Sequence, residues 1–254
     1  MSDTRKIQWK RLSVEGVAIV VSILLAFWID AWWNDRQRTL EEEVILASLH
    51  LEAQDLLSSV DETRNYVGAI RDSTQQMLNA SVATNDAMTH DEVDRLFNDV
   101  LWYVSAESIN APSIESLVNS GDIDIISNGD LRRQVGTFII NLKGLRAEIQ
   151  RESEYFNRTL IPFVQKHVFM AQLYSLESHW PGDPERTIPP YNLVALTSTV
   201  SHRDVLESRE WQNILLHRLT TLTNIIEWRR SDIEEQLELI IQLAEGELRI
   251  LPKN

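Results

Sequence analysis

The longest apolar segment of the chain runs from Val14 to Trp33 and carries no charged residue between Val17 and Ile29. Its 20 residues correspond to about 30 Å of α-helix, which matches the hydrocarbon core of a bilayer. Aromatic residues gather at its C-terminal end and basic residues precede it, as in helices anchored at both membrane interfaces. The pattern predicts a transmembrane helix over 14–33 with these interface anchors: Trp28, Trp32, Trp33, Arg5, Lys6, Lys10 and Arg11.

This segment is interpreted as a retained anchor rather than a cleaved signal peptide. Cleavage sites need small residues, whereas the positions from Phe27 to Trp33 are mostly bulky or charged. Four basic residues precede the segment, and only Arg36 and Arg38 occur in the 20 residues after it, which predicts a cytoplasmic N-terminus. We expect a single-pass protein of the bacterial inner membrane, with residues 1–13 as a cytoplasmic tail, 14–33 as the transmembrane helix and 34–254 as a periplasmic domain.

A stripe of small and polar residues runs along one side of the predicted span, because Ala18, Ser22, Ala26 and Asp30 recur every four residues. Small residues allow helices to approach closely in lipid, so the stripe is a candidate interface between transmembrane helices. Asp30 and Glu15 are then candidate polar contacts or ion-pathway groups. The alternative is that both acids lie at the interfacial ends of an ordinary span.

Three long amphipathic helices are predicted in the rest of the chain, over Arg36–Ser81, Asp130–Ser178 and Arg203–Ile250. In each of them, apolar residues alternate at spacings of three and four, which is the heptad pattern of helices that pack along their whole length. Glycine and proline are scarce, which favours helices further. The predicted class is therefore all-α, with the transmembrane helix followed by an elongated antiparallel bundle of three long helices and additional short ones.

Local signals predict the elements between the long helices. Thr89 and Glu92 form a capping box that opens one short helix, and a second begins near Pro112 and ends at Gly121. Pro162 predicts a kink or break in the second long helix. The segment 179–191 contains four prolines and is predicted to be a loop. If the three long helices alternate in direction, this loop returns close to the bilayer.

One ion pair is predicted inside the bundle. Glu152 and Arg229 interrupt the apolar seams of the second and third long helices, each 26 residues from the predicted hairpin end. An antiparallel arrangement places them at the same height, so they are expected to pair and to define the register of the two helices.

Charge and motifs exclude several classes of function. The net charge of −14 repels nucleic-acid phosphate, so no nucleic-acid partner is expected. The chain has no cysteine, no nucleotide-binding or hydrolase motif, and no histidine pair at i, i+4. The acidic segment Asp122–Asp130 lacks the spacing and the final glutamate of an EF-hand. No catalytic residue, metal site or cofactor is predicted, and the protein is not expected to be an enzyme.

Two blocks of sequence resemble the DUF6090-like family, a domain of unknown function in single-span bacterial membrane proteins. They are VEGVAIVVSILLAFWIDAWWNDRQRTLEEEVILASLHLE and SIESLVNSGDIDIISNGDLRRQVGTF, about a quarter of the chain. The resemblance implies one N-terminal span and a helical outer domain. It implies no activity and no catalytic residue.

The expected function is that of a membrane-anchored helical scaffold or accessory interaction subunit. Its expected partners are membrane lipid and further protein chains, as a homo-oligomer or larger membrane complex through the transmembrane stripe and the bundle. One alternative is an oligomeric channel or transport accessory protein in which the stripe supports a pathway. Another is a sensor subunit, which would act through a partner because a 13-residue tail is too short for an output domain.

Overall fold

The computed structural model describes residues 9–83, 88–105, 109–191 and 200–250, without the side chains of residues 9–14 and 228–231. Its dominant element is α1, a single helix of 74 residues from Trp9 to Val82. At 1.5 Å per residue it is about 110 Å long. The predicted span and the first predicted long helix are therefore parts of one uninterrupted helix.

The described chain is mainly helical, as predicted. The helices after α1 are α2 (His90–Val100), α3 (Pro112–Ser120), α4 (Gly129–Tyr155), α5 (Ile161–His167), α6 (Met170–Leu173), α7 (Arg203–Leu206), α8 (Arg209–Thr223) and α9 (Ser231–Ile250). A 3₁₀ turn spans Asp122–Ile125, and π-helical segments span Phe156–Leu160 and Asn224–Arg230. Strands β1 (Ser178–Trp180) and β2 (Asp183–Ile188) form one antiparallel hairpin.

Three helix ends lie where the sequence predicts them. The Thr89 hydroxyl accepts a hydrogen bond from the Glu92 backbone, and the Glu92 carboxylate accepts one from the Thr89 backbone, which completes the capping box of α2. Gly121 ends α3 with a φ of 85°, a left-handed conformation that suits glycine. The side chain of Asn128 caps α4 by accepting from two backbone N–H groups.

The chain stays helical through Pro162, so the predicted break is absent. The hydrogen-bond pattern changes one turn earlier instead, in the π-helical segment, where the Ile161 N–H donates to the carbonyl of Phe156, five residues before it. Pro162 then occupies the first turn of α5, directly after this π-helical segment. The second long helix ends at His167 rather than at Ser178.

Helix α1 supplies one wall of the hydrophobic core along its whole length after the span. It packs against α8 and α9, and α4 packs against α9. In one half of the core, Leu46, Leu49 and Ala53 pack with residues of α4 and α9. In the other half, Met77 packs with Phe156, Trp211 and their neighbours. The apolar seam of α1 predicted from the sequence is therefore the buried face of the helix.

The predicted directions of the second and third long helices are wrong. The Ser127 hydroxyl, just before α4, donates to Glu42 near the start of the packed part of α1, so α4 runs parallel to α1. Gln212 at the start of α8 donates to the carbonyl of Ser81 at the end of α1, so α8 and α9 run antiparallel to it. Between α1 and α4 the chain returns through α2 and α3. The prediction of alternating directions did not include this return.

The 179–191 segment accordingly does not return to the span. Its Trp180 ring lies 5.7 Å from the ring of Tyr66, and Tyr66 is 33 residues beyond Trp33 on α1. This separation corresponds to about 50 Å of helix. The predicted position of the segment near the bilayer is therefore wrong, and most of the predicted loop is the β-hairpin.

Candidate functional site

A cleft lined by aromatic side chains lies between α1, the segment that follows α2, and the β-hairpin. Its volume is about 670 Å³, which is in the range of pockets for small molecules. Aromatic rings line it together with one cation and one acid near its edges. The lining residues used below are Glu62, Tyr66, Trp102, Tyr103, Trp180 and Arg186.

Trp180 is the centre of this aromatic cleft. Its ring centroid lies 5.7 Å from that of Tyr66 and 5.2 Å from that of Trp102. The guanidinium carbon of Arg186, on the second strand of the same hairpin, lies 4.2 Å from the ring centroid, in cation–π geometry. The cleft therefore offers ring faces and a guanidinium to a ligand that carries an apolar or aromatic body and an anionic group.

A glycine allows the hairpin to sit directly on α1. Gly182, in the turn between the strands, has a φ of 77°, which disfavours any side chain. A Cβ at this position would lie 2.9 Å from the backbone carbonyl of Asn65. The close approach of the two backbones places Trp180 against Tyr66, so the shape of the cleft depends on this turn.

The wall of the cleft is tied to a buried ion pair in the core. Arg218 Nε on α8 donates to Glu152 Oε1 on α4 at 2.9 Å, and both side chains are fully buried. The guanidinium also donates to the carbonyl of Val100, the last residue of α2, and to that of Trp102, two residues later. Arg218 thus links the core to the backbone that carries the Trp102 ring.

Burial dominates the electrostatics of this pair. It raises the pKa of Glu152 above its ordinary value, and the nearby Arg218 charge opposes part of that rise. Burial also lowers the pKa of Arg218, against the attraction of Glu152. Glu152 Oε2 has no hydrogen-bond partner among the described residues, so the carboxylate is only half satisfied.

The sequence predicts that Glu152 pairs with Arg229, whereas the structure pairs it with Arg218 of the same predicted long helix. The side chain of Arg229 lies outside the described residues, so that pair remains a prediction. Arg229 is predicted because it lies as far from Arg203 as Glu152 lies from Ser178, which assumes that both helices are uninterrupted up to these two residues. The observed helices end at His167 and begin again at Arg209, which brings Arg218 opposite Glu152.

A second buried polar cluster joins α2, α6 and the segment before α7. His202 Nδ1 and Asp94 Oδ1 lie 2.6 Å apart, and His202 Nε2 accepts a hydrogen bond of 3.0 Å from the backbone N–H of Phe169. Nδ1 therefore carries the proton and donates to Asp94. The Gln172 amide completes the cluster through Asp94 and the backbone of Val200. Both nitrogens of the His202 ring are hydrogen-bonded, so the ring has no free nitrogen to act as a base. The pair instead connects α2 to the segments around Phe169 and His202.

The helix that contains the predicted span is the only candidate membrane helix in the described chain, judged by its length and composition. All side chains described from residue 15 to 35 are exposed. Within the predicted stripe of Ala18, Ser22, Ala26 and Asp30, the Ser22 hydroxyl donates to the carbonyl of Ala18. Asn34 donates to Asp30 at 3.4 Å.

The structure describes the three aromatic interface anchors and not the side chains of the four basic ones. Trp28, Trp32 and Trp33 are 65, 56 and 60% exposed at the end of the span that adjoins the packed domain. Arg5 and Lys6 precede the described chain, and the side chains of Lys10 and Arg11 are outside it. The bias of basic residues across the span therefore rests on the sequence.

No cluster of three or more potential metal ligands occurs among the residues that the structure describes. The acidic residues near α4 have local partners instead. The Ser120 hydroxyl donates to Asp122, and Arg133 donates to Asp130 at 2.8 Å. These hydrogen bonds lie at the end of α3 and in the first turn of α4, where they stabilise the helix ends.

Comparison with known proteins gives no match to any family model, curated protein or solved structure. The resemblance to the DUF6090-like family therefore stays a prediction.

Proposed function

We propose that the chain is a single-pass membrane protein that acts as a scaffold or accessory interaction subunit. In this proposal residues 14–33 span the bacterial inner membrane, residues 1–13 are cytoplasmic, and the packed domain lies in the periplasm. The observation that carries the proposal is the change of environment along α1. Every side chain described from residue 15 to 35 is exposed, whereas Leu46 and Ala53 of the same helix are fully buried in the core.

Water is an unfavourable surrounding for such a helix. Large apolar residues of the span, such as Val17, Leu24 and Phe27, are each more than 60% exposed. Each would gain about 1.5–3 kcal/mol on transfer to an apolar environment. A helix that is apolar on all sides needs lipid or protein around its full circumference, and its length matches a bilayer.

An interaction role is favoured over catalysis by the state of the buried polar groups. The histidine of the Asp94–His202 cluster uses both ring nitrogens in structural hydrogen bonds. The Glu152–Arg218 pair lies inside the core and bonds to backbone carbonyls. These groups hold helices together, which leaves the surface and the aromatic cleft as the parts available to partners.

The proposal is tested by fractionating cells that express the full-length chain. The wild-type protein is expected to remain with membranes after an alkaline wash. The double variant Val20→Arg/Leu24→Arg is expected to lose this association, because each arginine near the centre of a span costs about 2.5–3.5 kcal/mol. Leu216→Arg, at an exposed position of α8, is the matched control and should stay in the membrane fraction. Wild-type protein in the soluble fraction would overturn the proposal.

A channel is the first alternative, since the stripe of Ala18, Ser22, Ala26 and Asp30 is exposed in a single chain. Planar-bilayer recordings of wild type and Asp30→Asn separate the two functions. A scaffold carries no current in either form, whereas a pathway through the stripe predicts a current that changes with Asp30.

The aromatic cleft favours a second candidate function, a sensor subunit that binds a small ligand and acts through a partner. Trp180 reports on this directly, because a ligand stacked on its ring would change its fluorescence. Titration with an aromatic carboxylate such as indole-3-acetate is expected to change the emission of the wild type and not that of Trp180→Phe. No change in the wild type would remove the cleft as a site for this class of ligand.

A further inference from the structure

A second heptad seam runs along the outer side of α1. It comprises positions that follow one another at alternating spacings of four and three, and every one of them is exposed. We name as the outer stripe Trp33, Gln37, Leu40, Val44, Ala47 and Leu51. Val44 and Leu51 are 70% and 61% exposed.

The outer stripe points away from the core. Val44 and Leu51 each stand two positions from a buried residue, Leu46 and Leu49 respectively. At 3.6 residues per turn, two positions correspond to a rotation of about 200°. One face of α1 therefore packs against the bundle, and a separate apolar face with its own heptad period is exposed on the opposite side.

Helix α4 has no comparable apolar stripe on its exposed side. Ile140 on α4 is also 70% exposed, but the positions three and four residues away on either side are Gly136, Thr137, Lys143 and Gly144. Ile140 is an isolated exposed residue, which is ordinary at a protein surface. The outer stripe instead extends over 19 residues, about 27 Å from the first to the last, and a sustained heptad is typical of a helix that packs on another helix.

We infer that the outer stripe is the contact of a parallel homodimer, in which α1 of one copy packs along α1 of a second copy. The inference rests on the proposed membrane anchor, because two chains inserted in one membrane present their α1 helices in parallel and at the same height. The stripe also continues into the span at the same spacing through Asp30 and Ala26. A twofold axis along α1 pairs each stripe position with itself.

Charges beside the stripe fit this partner. In a parallel heptad pair, the residue just before one stripe position faces the residue five places later on the partner. This rule places Arg36 of one copy opposite Glu41 of the other, and Glu43 opposite Ser48, so opposite charges meet beside the outer stripe and no like charges do. The one like-charge contact is at Asp30, where the stripe enters the span and the residue meets its own copy. Gln37 donates to Glu41 at 3.0 Å within the same helix, which holds that carboxylate beside the stripe. Gln37 itself is a polar residue at a stripe position, a feature that favours one register.

The absence of cysteine in the chain allows a direct test in native membranes. Single-cysteine variants of the full-length protein are made at Leu40, Val44, Ala47 and Leu51, with Ile140→Cys as the control of equal exposure. After mild oxidation, the stripe variants are expected to form disulfide-linked dimer at about five times the yield of Ile140→Cys or more, because only facing positions of a heptad pair approach closely. Equal yields at Val44 and Ile140, or a cross-linked product of another mass, would overturn the inference.

Charge variants provide an independent arm that does not use cross-linking. Leu40→Glu/Val44→Glu places four acids in the proposed contact, and Ile140→Glu is the control; all three positions are exposed. The double variant is expected to shift the detergent-solubilised protein from dimer to monomer at unchanged helical circular dichroism, while the control stays dimeric. A dimeric double variant would contradict the inference. Monomeric wild type in the membrane fraction would overturn the dimer alone, whereas wild type in the soluble fraction would overturn the anchor as well.

Discussion

Glu152 and Arg218 form a fully buried ion pair, with Glu152 Oε1 2.9 Å from Arg218 Nε. The pair joins α4 to α8, and the remaining donors of Arg218 reach the backbone at the C-terminal end of α2. It therefore connects three separate segments at the boundary between the two halves of the core. Removing one member leaves the other charge buried without its partner, which is far less favourable than removing both.

We predict that Arg218→Met lowers the free energy of unfolding by about 3–5 kcal/mol, since Glu152 is left unpaired in the core. The double variant Glu152→Leu/Arg218→Met should recover a large part of this loss. Arg133→Met is the control, because the Arg133–Asp130 pair is exposed, and should change stability by no more than about 0.5 kcal/mol. Denaturant unfolding followed by circular dichroism measures all three. A double variant less stable than Arg218→Met would contradict the account.

The pH dependence of stability should carry a component from Glu152. Burial raises the pKa of Glu152 above its ordinary value of 4.5, so the folded chain binds this proton more tightly than the unfolded chain. The resulting contribution to stability is fully present below pH 4.5 and is lost as the pH rises through the raised pKa. Glu152→Gln does not titrate. We therefore expect the stability of the wild type relative to this variant to fall as the pH is raised above 4.5; a constant or rising difference would be contrary to the structure.

The Asp94–His202 cluster gives a prediction about local structure. His202→Ala removes the acceptor of the Phe169 N–H and the donor to Asp94, so both buried groups lose a partner. A loss of about 2–5 kcal/mol in unfolding free energy is expected, together with faster hydrogen exchange of the Phe169 amide. His90→Ala, at an exposed position of α2, is the control and should leave both quantities unchanged. Unaltered exchange at Phe169 would argue against the assigned hydrogen bond.

The turn at Gly182 should control the aromatic cleft. Gly182→Ala combines an unfavourable φ with a Cβ 2.9 Å from the Asn65 carbonyl, so the hairpin must move away from α1. We predict a destabilisation of about 1–3 kcal/mol and a change in Trp180 emission, because Trp180 then leaves Tyr66. Gly136→Ala has no atom within 4 Å of its Cβ and lies inside α4, so it should be neutral or stabilising. Identical fluorescence in Gly182→Ala and wild type would refute the role of the turn.

Features that depend on neighbouring residues could be predicted from the sequence. The heptad seam through Leu46 and Leu49 identifies the buried face of α1, and the Thr89–Glu92 pair identifies the start of α2. The capping box joins residues three positions apart, and the seam follows the period of a single helix, so both can be recognised without knowledge of the fold. The outer stripe follows the same heptad spacing as the buried seam. Only the packing of the bundle shows which of the two faces is buried and which is exposed.

Long-range arrangement could not be predicted in the same way. A heptad seam does not specify whether its partner runs parallel, so the direction of α4 depends on contacts such as Ser127 with Glu42, 85 residues apart. The choice of Arg218 as partner of Glu152 depends on where the helices end and on their π-helical segments. The aromatic cleft brings Trp180 to Tyr66 across 114 positions, which no local signal indicates.

The central claim is that α1 crosses the membrane and carries its packed domain on the far side from the cytoplasm. Labelling of single-cysteine variants in intact spheroplasts with a membrane-impermeant maleimide tests it most directly. The account predicts that Leu216→Cys, exposed on α8, is labelled in intact spheroplasts, and that Ser2→Cys is labelled only after the membrane is opened. Labelling in the opposite order, or recovery of both variants in the soluble fraction, would contradict it.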